Sequence, residues 1–209
     1  MNLPNRITMG RFALALALFG FLEWGNIAGT GEWWKPALAA AAFILAVATD
    51  AADGYYARKL GLQTDFGRIA DPVVDKVIVC GVLIFFCSYP WAEATVPTWM
   101  VVLIVCREFL VSGLRGFIEA RGVAFPARWD GKMKMICQCI MIPAVFLQRV
   151  MDLRWPGEES LVAFVNYFAI FFVWLTFVLT LSSGFRYITA AAAVLRKQGE
   201  ESGVKGGGI

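Results

Sequence analysis

The sequence predicts an all-α integral membrane protein with six transmembrane helices and both termini in the cytoplasm. Three observations carry that expectation: an apolar composition, six apolar stretches, and lysines and arginines that gather on one side of them. Of 209 residues, 59% are hydrophobic and 17% charged, against about 25% charged in a typical soluble domain. A soluble fold of this size has too little interior to hide so much apolar surface, whereas a bilayer takes it as solvent.

The stretches lie near residues 7–22, 36–57, 69–89, 97–118, 133–148 and 160–185. A helix crossing the hydrocarbon core needs about 20 apolar residues. The first stretch is short and carries Arg11; it has the look of a secretion signal, but no clear small-residue cleavage site follows it. The second and third meet at an acidic junction. The fourth contains Arg107 and Glu108, and the fifth opens beside Lys132 and Lys134. The sixth is the cleanest, with no charge from Ser160 to Phe185. With a cytoplasmic N-terminus, fifteen of the nineteen basic residues fall on that side. Lys35, Arg149 and Arg154 fall on the other, and Arg107 lies within the fourth stretch. That bias is the positive-inside pattern. Residues 1–198 are expected to form one membrane domain and 199–209, with Gly206, Gly207 and Gly208, a flexible tail.

Composition also narrows the chemistry. The chain has no histidine, which removes imidazole as metal ligand, general base and triad member. The five cysteines (Cys80, Cys87, Cys106, Cys137 and Cys139) lie in apolar stretches without zinc-site spacing and read as small hydrophobes within helices. The net charge is only +3, and no nucleic-acid partner is expected. The eight tryptophans read as interfacial belt and packing residues.

The unusual feature is the acidic junction. Asp50 and Asp53 are three residues apart; Asp71 and Asp75 are four apart. Both spacings put two carboxylates on one helix face. The two segments are joined by a short loop, so the pairs can face each other at the membrane boundary. Four converging carboxylates repel one another and are costly to desolvate. Without histidine or suitable cysteine, the natural compensating charge is a hard divalent cation, Mg²⁺ or Mn²⁺, as one ion or a bridged pair. Such ions also bind substrate phosphates. Gly54 and Ala57 share the face of the first pair, and Gly67 leaves similar room opposite, so a ligand can approach the backbone. Arg58 supplies a charge that can pair with a diphosphate. A proton or cation pathway, as in a transporter, is the competing reading of the same carboxylates.

These residues form the pattern D-x2-D-G-x2-A-R-x8-G-x3-D-x3-D, with every fixed position present. It resembles the signature of the CDP-alcohol phosphotransferases. The resemblance implies a six-helix membrane fold in a bacterial-type cytoplasmic membrane, a site facing the cytoplasm and a homodimer. It also implies a divalent metal and attack of an alcohol on a CDP-linked lipid with release of CMP. On the same basis Asp50, Asp53, Asp71 and Asp75 are the metal cluster, and Asp75 is the general base. Gly54, Ala57, Arg58 and Gly67 are implied to contact the CDP moiety. The start of the chain, with Asn5, Thr8 and Arg11, resembles the family's N-terminal pattern, which adds Asn5 and Thr8 to the CDP-lipid contacts.

Two further stretches resemble the branch of that family whose acceptor is glycerol 3-phosphate and whose lipid donor is CDP-diacylglycerol. They are Arg107-Glu108 through Leu114-Arg115, and Gly131-Lys132-Met133-Lys134-Met135. Met135 departs from the threonine often found there. Arg107, Arg115, Lys132 and Lys134 are therefore expected to hold the acceptor phosphate. Physics agrees: an arginine beside lipid needs an anion. Glu108 can satisfy one cation as a structural ion pair, but surplus cations remain for a substrate phosphate. Lys132 and Lys134 have an alternative role as interfacial anchors to anionic lipid. Within the family, a cardiolipin synthase or a phosphatidylinositol-phosphate synthase is the alternative reading.

Overall fold

The computed structural model of the chain describes residues 3–25, 27–29, 31–60, 65–121 and 129–205; the side chains of residues 3–8, 50–60, 65–75, 130 and 197–205 lie outside that description. The described residues form helices and connections, with no strand among them. The order is α1 (Leu3–Trp24), α2 (Trp34–Leu60), α3 (Asp65–Cys87), α4 (Pro90–Glu93), α5 (Thr98–Glu119), α6 (Trp129–Arg154) and α7 (Glu159–Lys205). Each apolar stretch of the sequence falls on one of the six long helices, and α4 is a single added turn. Among the described residues two segments are long and apolar enough to cross a membrane, Gly131–Arg154 in α6 and Glu159–Arg196 in α7.

All six long helices contribute to one buried core. Its largest members include Leu22, Phe43, Phe86, Ile104, Met141 and Phe146. Alanines such as Ala15, Ala39, Ala46 and Ala169 are fully buried between the larger residues, where they let helix backbones approach closely. Gly81 is the tightest case: a Cβ there would stand 2.1 Å from the tip of the Phe19 ring, so a larger residue would force that ring to move. The outside of the bundle is also apolar. Leu45, Phe109, Phe164, Phe171 and Val178 are all exposed, the arrangement expected where lipid rather than water is the solvent.

One end of the bundle is tied by aromatic residues around α4. Pro90 sits at the first position of that turn, where its missing N–H costs nothing. Tyr89 donates its hydroxyl to the Leu22 carbonyl at 3.0 Å, and Trp91 donates Nε1 to the Ile27 carbonyl at 3.3 Å. The Tyr89 and Trp91 rings stack at 5.3 Å, and Phe86 meets Phe146 edge-on at 4.9 Å. The Glu93 carboxylate accepts hydrogen bonds from the Thr98 backbone N–H and hydroxyl, satisfying an orphan donor at the start of α5 and complementing the helix dipole there.

The last helix has 47 residues, a rise of about 70 Å, more than twice the hydrocarbon thickness of a bilayer. The uncharged stretch ending at Phe185 accounts for only part of it. Beyond that point Tyr187 and Ala191 are buried against Val111 and Ile118 of α5 in a second, smaller apolar cluster. The helix is continuous past residue 198, where the sequence alone placed a domain boundary, and runs to Lys205.

Candidate active site

Asp50 and Asp53 lie in the second half of α2, and Asp71 and Asp75 in the first half of α3. Both stretches are helical, so the spacings of three and four residues keep their helical meaning. Only residues 61–64 separate the two helices. The side chains of all four aspartates, and of Gly54, Ala57, Arg58, Gly67, Asn5 and Thr8, lie outside the described residues. The donor set itself fits a hard divalent cation: oxygen only, from two consecutive helices, in a chain without histidine. Among the described residues no three acidic or thiol side chains gather into a rival metal site.

The described part of the site begins one residue later. Lys76 and Cys80 continue α3, and the Cys80 thiol lies within the electrostatic reach of Lys76, Glu108 and Lys134. The aspartate-bearing half of α3 therefore leads directly to a buried charge cluster between α5, α6 and α7. At its centre is Glu108, whose side chain is 8% exposed. Its Oε1 accepts from Arg107 Nη1 at 3.1 Å and also from Lys134 Nζ. Neighbouring helix residues point about 100° apart, so the Arg107 side chain must curl back to reach Glu108. It is held there from α7, where the Ser183 hydroxyl accepts from Arg107 Nη2 at 2.8 Å. The Tyr187 ring centroid lies 5.9 Å from the guanidinium carbon.

Among the described residues the charge balance of this cluster is uneven: two cations share one carboxylate oxygen. Desolvating a charge is expensive unless opposite charge and hydrogen bonds compensate. Arg107 and Lys134 are 10% and 6% exposed at the side chain, so water screens neither fully. Arg107 Nε is also buried with no hydrogen-bond partner among the described residues.

The four expected acceptor-site cations do not all meet. Arg107 and Lys134 come together at Glu108. Arg115 is only partly buried and bonds Glu119 through Nε at 3.0 Å, one turn further along α5. Lys132 is exposed, with its ammonium 5.9 Å from the centre of the Trp129 ring. Helix geometry explains the split. Eight residues at 100° each leave Arg115 about 80° away from Arg107, and two residues put Lys132 nearly opposite Lys134. Lys134, at 4% exposure as a residue, stands inside the bundle rather than at a lipid interface. Ser183 had no motif to announce it. Its only signal was that Ser182-Ser183-Gly184 interrupts an otherwise aliphatic and aromatic run.

The fold and the charged cluster define an all-helical membrane-type protein with a polar site enclosed by its helices. Comparison with known proteins makes this particular. A family model described as CDP-alcohol phosphatidyltransferase matches residues 1–182. A CDP-diacylglycerol–glycerol-3-phosphate 3-phosphatidyltransferase of Bacillus subtilis (strain 168) is 38% identical over 194 residues, covering 90% of this chain and 94% of its own. Its namesake in Rickettsia bellii (strain RML369-C) is 31% identical over 190 residues, covering 90% and 94%. Another in Mycoplasma pneumoniae is 31% identical over 153 residues, covering 68% and 66%. The chain belongs to the CDP-alcohol phosphatidyltransferase family.

Proposed function

We propose that this protein transfers the phosphatidyl group of CDP-diacylglycerol to the primary hydroxyl of glycerol 3-phosphate, giving phosphatidylglycerophosphate and CMP. The observation that carries the reading is the likeness, over 90% of the chain, to relatives named for that reaction. The buried Arg107–Glu108–Lys134 cluster supports the acceptor: its surplus positive charge suits a phosphate-bearing alcohol better than an uncharged one.

In this reading Asp50, Asp53, Asp71 and Asp75 hold one or two divalent cations, Mg²⁺ or Mn²⁺, whose charge neutralises the diphosphate and the departing CMP. Asn5, Thr8, Gly54, Ala57, Arg58 and Gly67 seat the CDP-lipid. Arg107 and Lys134 hold the acceptor phosphate, with Arg115 and Lys132 on its approach. Asp75 takes the proton from the acceptor hydroxyl as that oxygen attacks the lipid-bearing β-phosphorus. The bond from that phosphorus to the bridging oxygen breaks, and CMP leaves with the electron pair. Orientation follows the basic residues: six spans, both termini and the polar site on the cytoplasmic side of a bacterial-type inner membrane, the diacyl tails in a groove open to lipid. Residues 1–198 form the membrane domain, residues 199–209 lie outside it, and the protein works as a homodimer.

The test is direct. Purified protein is given CDP-diacylglycerol and Mg²⁺ with glycerol 3-phosphate, inositol phosphate or phosphatidylglycerol in turn, and CMP release is measured. Release with glycerol 3-phosphate alone is the expected result. CMP with inositol phosphate or phosphatidylglycerol instead overturns the acceptor assignment. No CMP with any acceptor overturns the enzyme reading and favours a carboxylate-based transporter.

A further inference from the structure

The long last helix carries no residue of the aspartate motif, yet it touches Arg107 along three consecutive stretches of that side chain. We propose that Ser183 and Gly184 are positioning residues that preset the Arg107 guanidinium for the acceptor phosphate, so that α7 sets the affinity for the acceptor. This rests on the reading of Arg107 as an acceptor-phosphate ligand.

The stem of Arg107 lies against the α7 backbone. A Cβ added at Gly184 would stand 3.0 Å from Arg107 Cγ, 3.5 Å from Nε and 3.8 Å from Cδ. A side chain at 184 would therefore push the stem, and with it the guanidinium, away from its place. The head is fixed by chemistry rather than shape. Ser183 Oγ spends its own proton on the Leu179 carbonyl at 2.6 Å. Its lone pairs are left to accept from Arg107 Nη2 at 2.8 Å. Glu108 takes Nη1 at 3.1 Å on the other side.

An arginine has about 2 kcal/mol of rotamer freedom to lose on binding. A guanidinium already held at both terminal nitrogens loses less of it when an anion arrives. Glu108 Oε1 is shared with Lys134, and Ser183 adds a second fixed point for the guanidinium. The family match covers residues 1–182, so it takes in the first half of α7 and stops one residue before this seat.

The experiment uses the full chain in detergent with CDP-diacylglycerol and Mg²⁺. Ser183→Ala, Gly184→Ala and Arg107→Gln are made singly, and each of the first two is combined with the third. Each seat variant is expected to raise KM for glycerol 3-phosphate about tenfold. Their kcat and KM for CDP-diacylglycerol should stay within about twofold. In the Arg107→Gln background neither should add to the effect, because the group they position is gone. An unchanged acceptor KM in Ser183→Ala, with a raised one in Arg107→Gln, overturns the seat and leaves the Arg107 reading intact. An unchanged acceptor KM in Arg107→Gln overturns that reading itself. A fall in kcat alone, or full additivity in the double variants, also overturns the seat. Ser183→Ala removes a single oxygen and decides the matter if Gly184→Ala fails to fold.

Discussion

Helix α6 carries cations near both of its ends, and the two ends treat them in opposite ways. Lys134, near the start, is buried and shares Glu108 with Arg107. Arg154, at the other end, is exposed and lies between two rings, 5.6 Å from the centroid of Trp33 and 5.2 Å from that of Trp155. The two positions are about 30 Å apart along the helix, the thickness of the hydrocarbon core. The difference separates two uses of positive charge in an apolar protein. A cation over an exposed aromatic ring is an anchor at a boundary. A cation buried with half a carboxylate for company is held in readiness for another anion.

Substitutions sharpen this contrast, and the largest effect is expected beside the buried cluster. Asp75→Asn should reduce CMP release by at least about a thousandfold while sparing CDP-lipid binding, because it removes the base but not the seat of the nucleotide. Full activity in that variant would refute the role. Glu108→Ala strands two buried cations and should cost about 3–5 kcal/mol of stability, read as a lowered unfolding midpoint in detergent. A midpoint equal to that of the unaltered protein would mean the cluster is not buried as described. Arg115→Ala should raise the glycerol 3-phosphate requirement by only about threefold, since its guanidinium is exposed and already engaged by Glu119. An unchanged acceptor dependence would leave it a purely structural residue. Arg154→Ala should be the mildest, with kcat and both KM values unaltered and about 0.5–1 kcal/mol of stability lost. Any loss of acceptor affinity there would break the division between the two ends.

The sequence made the helices legible because apolar length is a local property. Every long helix contains one of the six apolar stretches, and the aspartate motif was visible in full between two of them. What it missed is non-local or geometric. The turn at Pro90–Glu93 falls in the gap between the third and fourth stretches, where the sequence reading placed no element although a proline there signals a restart. The pairing of Arg107 with Ser183 spans 76 residues, a separation that no spacing rule reaches. Arg107 and Arg115 looked alike in sequence, but 80° of helix rotation puts one inside the bundle and the other outside. Lys132 and Lys134 divide for the same reason. Residue type identified the candidates, and helical phase sorted them.

The uninterrupted course of α7 has a consequence for how such a protein can change. Ser183 and Gly184 meet Arg107 from a helix anchored earlier by Ala169, Val173 and Phe177 in the main core and later by Tyr187 and Ala191 in the second cluster. One residue inserted between those anchors would turn everything downstream by about 100° and advance it by about 1.5 Å. The serine would then face away from the arginine, and the second cluster would lose its register with α5. Length in this helix is thus quantised: insertions of about seven residues, nearly two whole turns, restore the facing but displace the seat by about 10 Å. Gain or loss of a single residue is thus a far larger disturbance to this stretch of chain than any one substitution away from the seat.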